Sequence, residues 1–149
     1  MIAGPPGTVV LLATALAVAG CSRATFTDAD LAALRQSAER TVVYVWSPHM
    51  PLSVDGYEEI AAAAAEHELA LVPLLFSESD RDFAVREAAR VGIPRDGLRE
   101  VDSDELRSRN ALVHAPTMIV FDERGVSPAL PGYRNAEGYA DFIREFLER

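Results

Sequence analysis

Thr41-Val-Val-Tyr-Val-Trp-Ser-Pro-His-Met-Pro51 is the stretch of sequence that decides the fold of this chain. Its first six residues, through Trp46, are β-branched or aromatic, with apolar side chains at both alternating sets of positions. Such a pattern predicts a central strand that helices cover on both sides. The run then changes abruptly to Ser-Pro-His-Met, and we expect the strand to end there.

A second stretch, Val113-His-Ala-Pro-Thr-Met-Ile-Val-Phe121, also predicts a strand, here preceded by Pro116. Together the two stretches resemble the two halves of a thioredoxin-type site. In that superfamily a strand ends in Trp-Cys-x-x-Cys, and a proline in a cis peptide packs against the cysteine pair. The resemblance therefore implies a cis peptide bond before Pro116, a geometry found in only about one X-Pro bond in twenty.

The cysteines of this motif are missing. Alignment on Trp46 places Ser47 and Met50 at the two sulfur positions, with Pro48 and His49 between them. In the redox-active members the first Cys attacks as a thiolate and the second resolves the mixed disulfide. Neither a hydroxyl nor a thioether forms a thiolate, so dithiol-disulfide oxidoreductase activity is excluded at this site. The same argument excludes peroxidase chemistry of the peroxiredoxin kind.

The rest of the chain predicts alternating helices and strands. Helices are expected from Thr27, from Ser53 to about His67, over Asp80–Val91 and after Asn135, and strands over Leu69–Phe76, Leu98–Val101, Thr117–Phe121 and Val126–Leu130. This order resembles a thioredoxin fold, in which a βαβ half precedes a ββα half. The resemblance implies an α/β domain over residues 27–149, with a mixed four- to five-stranded sheet flanked by helices on both faces.

Three prolines and one serine modify what is expected of three of these elements: where a helix begins, and how regular two strands are. Pro51 predicts a kink or a delay of the second helix to about Ser53, and Ser47 is expected to cap that helix. Pro73 removes a ladder donor, so its strand is expected at an edge or with local irregularity. Pro128 weakens the last strand in the same way.

The N-terminal residues are expected to lie outside this domain. Thr8 to Gly20 is an apolar run of signal-peptide length, short for a bilayer span. It ends in Val18-Ala-Gly-Cys21, which resembles a bacterial lipoprotein box, although no Lys or Arg precedes the run. The resemblance implies a signal peptide over 1–20, an acylated Cys21, a tether through residue 26 and a membrane-anchored lipoprotein on the extracytoplasmic face of the bacterial cell envelope. An unlipidated signal peptide and a plain membrane anchor are the alternatives.

Composition limits the partners. The chain has 149 residues, of which 49% are hydrophobic, enough for a single domain with a core. Its net charge of −9 argues against nucleic acid as a partner and against polybasic docking of the chain to anionic lipid. Cys21 is the one cysteine, so the acylated chain has no free thiol.

The degenerate site is predicted to bind a partner rather than to catalyse. In the family, the backbone of the residue before the cis proline pairs with an extended client segment, and that N–H and C=O remain at Ala115 without any cysteine. The expected partner is an envelope protein or peptide, and no cofactor is expected. The candidate groove residues are Trp46, Ser47, Pro48, His49, Met50, Ala115 and Pro116, and Tyr133 is a further candidate at its border.

Two other chemistries stay open for the same residues. Imidazole and thioether groups suit copper, so His49, Met50 and His114 are candidate ligands of an envelope metal-binding or delivery protein, although no metal is expected. Ser47 with His49 or His114 as base is a candidate hydrolytic pair. The Gly-x-Ser-x-Gly elbow is absent, which disfavours that reading.

Overall fold

The computed structural model describes residues 25–77 and 80–149, so Cys21 and the predicted signal peptide lie outside the described residues. The strands are β1 Thr25–Thr27, β2 Thr41–Trp46, β3 Ala70–Leu75, β4 Glu100–Asp102, β5 Thr117–Asp122, β6 Gly125–Val126 and β7 Leu130–Pro131. The helices are α1 Asp28–Gln36, α2 Pro51–Glu66, α3 Arg81–Val91, α4 Asp104–Ser108 and α5 Ala136–Leu147, and a 3₁₀ turn spans Arg95–Leu98. None of the described helices is long and apolar enough to cross a membrane.

The strands form one mixed sheet in the order β1-β4-β3-β2-β5-β6, and β7 also pairs with β5. β1, β4, β3 and β2 run parallel to one another, whereas β5 is antiparallel to β2 and to both β6 and β7. The α/β architecture is the one expected. Seven strands rather than four or five lie within the described residues, because three very short strands complete the two margins of the sheet.

Two of those short strands replace the single strand expected over Val126–Leu130. The backbone N–H of Ser127 donates to the carbonyl of Val120 at 2.9 Å, and the Val120 N–H donates back to the Ser127 hydroxyl at 2.9 Å. The side chain of Ser127 thus takes over an acceptor position of the ladder just before Pro128. The chain then returns to β5 as β7, where Leu130 pairs with Met118.

The third short strand is β1, whose first two residues the sequence analysis assigned to the tether and whose third it assigned to the start of the first helix. Thr25–Thr27 pairs in parallel with β4 at the edge of the sheet, and the Phe26 side chain is only 1% exposed. Helix α1 follows directly at Asp28. The backbone N–H of Thr27 donates to the carboxylate of Asp30 at 2.8 Å, which ties the helix start to the strand.

The central strand is β2, and all six of its residues are buried, as predicted. Val42, Tyr44 and Trp46 belong to the core under α2, α3 and α5, whereas Val43 and Val45 belong to the core under α1 and α4. A strand buried on both faces has no polar alternation, which explains its continuous apolar pattern.

Helix α2 begins at Pro51 and not at Ser53, so the expected delay is wrong. Pro51 is the first residue of the helix, where proline is favoured because the first-turn N–H groups have no intrahelical partner. The residue that flanks the helix start is Met50, so Ser47 is not its cap. The fully buried Ser53 instead accepts the backbone N–H of Ser47 at 2.8 Å, which holds the end of β2 against the first turn of α2.

Pro73 lies in an interior strand rather than at the edge. Its register partner in β2 is Tyr44, but β4 pairs with β3 at Leu75 alone, so Pro73 has no ladder partner on that side. Gly97 of the 3₁₀ turn covers it, and a Cβ on Gly97 would lie 2.8 Å from the Pro73 Cγ. The local irregularity that the proline predicts is therefore present inside the sheet.

The remaining helix ends agree with their predictions. The Asp80 carboxylate accepts the N–H of Phe83 at 2.9 Å before α3, and Gly92 ends that helix with a φ of +80°. Before α5 the Asn135 side chain accepts the N–H of Gly138 at 2.9 Å. These side-chain acceptors satisfy N–H groups that the first turn of a helix leaves unpaired.

Candidate binding site at the cis proline

The candidate site lies where β2 ends and β5 begins. These strands are antiparallel neighbours with Val45 opposite Thr117, so Ser47 and Pro116 meet at the same edge of the sheet. The peptide bond between Ala115 and Pro116 is cis, as the resemblance implies. The fold therefore brings together the two stretches of sequence from which the site was predicted.

Trp46 does not border the site as a contact surface. Its side chain is fully buried, and the indole N–H donates to the carbonyl of Gly97 at 2.8 Å. The prediction that Trp46 lines a groove is corrected for this reason: the last position of β2 faces the core beneath the 3₁₀ turn. Its role is to support the end of the strand.

Ser47 and Pro48 are also buried, so they form the base of the turn rather than its surface. The carbonyl of Ser47 accepts the N–H of Met50 at 3.2 Å, and its hydroxyl accepts the backbone N–H of His49 at 3.4 Å. The Ser47 side chain is 7% exposed. A nucleophile held in this way has little surface to offer a substrate, and the hydrolytic interpretation gains no support.

The two histidines near the site are exposed. The ring of His49 packs on Phe83 of α3, with ring centroids 5.2 Å apart at 40°. His114 lies in the loop before the cis proline. Within residues 25–77 and 80–149, no group of three His, Cys, Asp or Glu side chains is placed to hold a metal ion. A group of this kind does not include a methionine thioether, so copper binding by His49, Met50 and His114 stays a prediction.

The accessible part of the site is an apolar groove of about 270 Å³, here called the proline groove. Among its lining residues, Met50 and Leu52 are 49% and 59% exposed, which is unusual for large apolar side chains at the start of a helix. No lining residue carries a charged side chain. The proline groove is lined by Met50, Pro51, Leu52, Ala115, Pro116, Gly132 and Tyr133.

Pro51, Leu52 and Gly132 were not among the predicted site residues. Leu52 had a detectable signal, because it lies next to Met50 and Pro51 in an apolar first turn where helices usually carry polar residues. Gly132 reaches the site because its backbone N–H donates to the carbonyl of Pro116 at 2.8 Å. Its φ of +84° turns the chain from β7 towards Tyr133, which lies at the groove as predicted.

A cluster of tyrosines supports the groove from behind. The Tyr44 hydroxyl donates to the carbonyl of Ser53 at 2.7 Å, and burial raises the pKa of Tyr44 so far that it remains a protonated donor. A Cβ on Gly56 would lie 2.6 Å from that hydroxyl and 3.3 Å from the ring of Tyr133. The absence of a side chain at Gly56 is what lets Tyr133 pack against α2 beside the groove.

Backbone groups at the cis proline supply the polar part of the site. The Thr117 hydroxyl donates to the carbonyl of His114 at 2.7 Å, and Pro116 accepts from Gly132. Between these, the N–H and C=O of Ala115 have no hydrogen-bond partner among the described residues. Ala115 lies in the bend before β5 and is 9% exposed, and its one donor and one acceptor match what a peptide strand needs for pairing.

Comparison with solved structures identifies the architecture. DsbF of Mycobacterium tuberculosis matches with a TM-score of 0.56 at 14% identity, over 72% of this chain and 81% of that one. A secreted disulfide oxidoreductase of the same organism, homologous to E. coli DsbE, matches with a TM-score of 0.51 at 11% identity, over 72% and 82%. The fold is thioredoxin-like.

StoA from Bacillus subtilis is a third thioredoxin-like neighbour, with a TM-score of 0.51 at 16% identity, over 71% of this chain and 83% of that one. No protein-family model matches the chain, and no curated protein matches it. Identities this low show a shared thioredoxin-like backbone. This chain has Ser47 and Met50 at the two positions where the sequence alignment on Trp46 expects the cysteines of a dithiol site.

Proposed function

We propose that this chain is a thioredoxin-like binding module of the bacterial cell envelope without dithiol chemistry, which holds an extended segment of a partner protein in the proline groove. The proposal rests on two observations made at the cis-proline site. Ser47 and Met50 stand where a thiol pair is needed, while the cis proline and an accessible apolar groove beside it are intact. The residues proposed to bind the partner segment are therefore present, whereas the two cysteines of a dithiol site are not.

The groove defines what the partner segment looks like. Its walls are apolar and uncharged, so burial of apolar side chains is the favourable term. The N–H and C=O of Ala115 fix the segment's backbone, and side chains at alternate positions then point towards Leu52 and Tyr133. A partner segment with apolar residues two apart and no charge between them is the best match.

The envelope location rests on the N-terminal sequence. The lipoprotein-like box at Cys21 supports anchoring, and one structural neighbour is a secreted protein. The test is the mass of the mature protein from bacterial membranes. We expect a chain that starts at Cys21 and carries acyl groups, and a Cys21→Ala form that is not processed there. An unmodified Cys21 thiol in the mature protein would contradict the anchor.

Site-directed photo-crosslinking tests the groove in the intact chain. A photoreactive residue at Leu52 is expected to give an adduct with a distinct envelope protein, and the same residue at the exposed Glu123 is not. Adding Met50→Glu should abolish the adduct, because it puts a charge in an apolar groove. The proposal fails if position 52 gives no adduct, or if the same preparation contains near-stoichiometric copper that is lost in His49→Ala.

A further inference from the structure

Met50 brings an oxidisable sulfur to the proline groove, at the position where a dithiol site would have its second cysteine. The chain has three methionines, and Met1 lies in the predicted signal peptide. Of the two that the structure describes, Met50 is 49% exposed, whereas Met118 in β5 is fully buried. A dissolved oxidant therefore reaches Met50 far more readily than Met118, which serves as an internal control for any reaction at Met50.

The backbone of Met50 is fixed while its side chain is accessible. Its N–H donates to the carbonyl of Ser47 at 3.2 Å, and its carbonyl accepts the N–H groups of Ser53 and Val54 at 2.8 and 3.2 Å. None of these hydrogen bonds involves the side chain, so they hold the residue at the start of α2 whatever the state of its sulfur. A chemical change at the sulfur therefore alters the wall of the proline groove and leaves the fold in place.

Oxidation changes the character of this wall. When hydrogen peroxide attacks a thioether, the sulfur lone pair forms an S–O bond, the O–O bond breaks and the second oxygen leaves as water. The sulfur loses two electrons to the peroxide, and a flexible apolar side chain becomes a polar sulfoxide. Among the described lining residues only Tyr133 has a side chain that donates a hydrogen bond, so a partner segment that covers oxidised Met50 buries a polar oxygen at a cost.

We infer that Met50 is a reversible oxidation switch of the proline groove, whose conversion to the sulfoxide by a hydroperoxide releases the partner segment. This inference rests on the proposed function, because it needs a segment bound in the groove. A dithiol reductant restores the apolar wall: the sulfoxide oxygen leaves as water, and the dithiol becomes a disulfide. The groove thus responds to oxidant through a thioether, although it has no thiol.

The test is oxidation of the full chain with hydrogen peroxide, which is removed before envelope extract is added. The first readout is the mass of each methionine-containing peptide, and we expect one added oxygen at Met50 and none at Met118. The second is the photo-crosslinking yield from a photoreactive residue at Leu52. This yield should fall at least about fivefold on oxidation and return after treatment with methionine sulfoxide reductases for both sulfoxide epimers.

Two substitutions isolate the sulfur of Met50. Met50→Leu has no sulfur, so the ratio of its crosslinking yields before and after peroxide treatment should stay near one. Met50→Gln places a neutral polar group in the wall without any oxidation, and its yield should be as low as that of the oxidised parent.

The possible failures have different meanings. Equal oxidation of Met50 and Met118, a parental yield from the oxidised chain or from Met50→Gln, or a peroxide-induced loss that persists in Met50→Leu would overturn the switch. The absence of an adduct from the untreated parent would instead overturn the proposed function and the inference with it. The untreated sample therefore distinguishes the two failures.

Discussion

At the scale of single residues, Ser53 joins the end of β2 to the start of α2 and so builds the site. Its hydroxyl accepts the N–H of Ser47 at 2.8 Å, and its carbonyl accepts the hydroxyl of Tyr44 at 2.7 Å. Because Ser53 is fully buried, its removal leaves a backbone donor without a partner.

Ser53→Ala is therefore expected to lower the free energy of unfolding by about 1–3 kcal/mol. Ser47→Ala is the matched control, because the hydroxyl of Ser47 accepts only a long hydrogen bond of 3.4 Å from His49. Urea unfolding of both variants beside the parent measures the difference. If Ser47→Ala lowers the free energy of unfolding as much as Ser53→Ala does, the Ser53 hydroxyl is not what joins the end of β2 to α2.

Gly56 is the second decisive residue, and here two effects compete. Alanine favours helix over glycine by about 1 kcal/mol, but a Cβ at this position meets the Tyr44 hydroxyl at 2.6 Å. Overpacking of a core costs about 1–3 kcal/mol, so Gly56→Ala should destabilise the chain and displace Tyr133. Glu58→Ala on the exposed face of the same helix should change stability by less than about 0.5 kcal/mol. A stabilised Gly56→Ala variant would contradict this packing.

At the scale of elements, the β5–β6 turn holds the last helix in place. The Asp122 carboxylate accepts the N–H groups of Arg124 and Gly125 at 2.9 and 3.1 Å, and the Arg124 guanidinium donates to it at 2.7 Å. Arg124 also donates to the carbonyl of Leu147 at the end of α5 at 2.9 Å. Burial raises the pKa of Asp122, but hydrogen bonds from Arg124 lower it more, so the pKa lies below its ordinary value.

A lowered pKa means that this stabilisation is complete above the ordinary pKa of about 4 and is lost as the pH falls through the folded-state value. Asp122→Asn should therefore reduce the free energy of unfolding by about 1–3 kcal/mol at pH 7 and by less at pH 3. The exposed Asp141 makes an ion pair with Arg144, and Asp141→Asn should have little effect at either pH. If Asp122→Asn lowers the free energy of unfolding equally at pH 7 and pH 3, the stabilisation does not come from the ionised carboxylate of Asp122.

Strong periodicity predicted the long elements correctly, and the errors concern positions where tertiary contacts decide. Pro51 was predicted to delay the second helix, because proline disrupts a helix at most positions. It is tolerated at the first helical position, and the sequence around Pro51 does not show that it occupies that position. Thr25–Thr27 is too short to have a pattern of its own, and pairing with β4 makes it a strand. Trp46 was predicted to line the groove because its neighbours in sequence do not show that its side chain is buried. That burial depends on the 3₁₀ turn at Arg95–Leu98, which lies far along the sequence.

At the scale of the whole molecule, the thioredoxin-like fold brings two stretches that are distant in sequence to one edge of the sheet. The proline groove that forms at this edge is apolar and uncharged. The motif order predicted the position of the proline groove, since both of its stretches stand at strand ends.

The most direct test of the account is the affinity of the crosslinked partner for the parent chain, for Leu52→Glu and for Val113→Glu. Leu52 and Val113 are 59% and 58% exposed, so both variants add the same charge at equally accessible apolar side chains, but only Leu52 lines the proline groove. The account predicts at least about tenfold weaker binding for Leu52→Glu, since its contact is worth more than about 1.4 kcal/mol, and near-parental binding for Val113→Glu. Equal affinities for all three chains would contradict it.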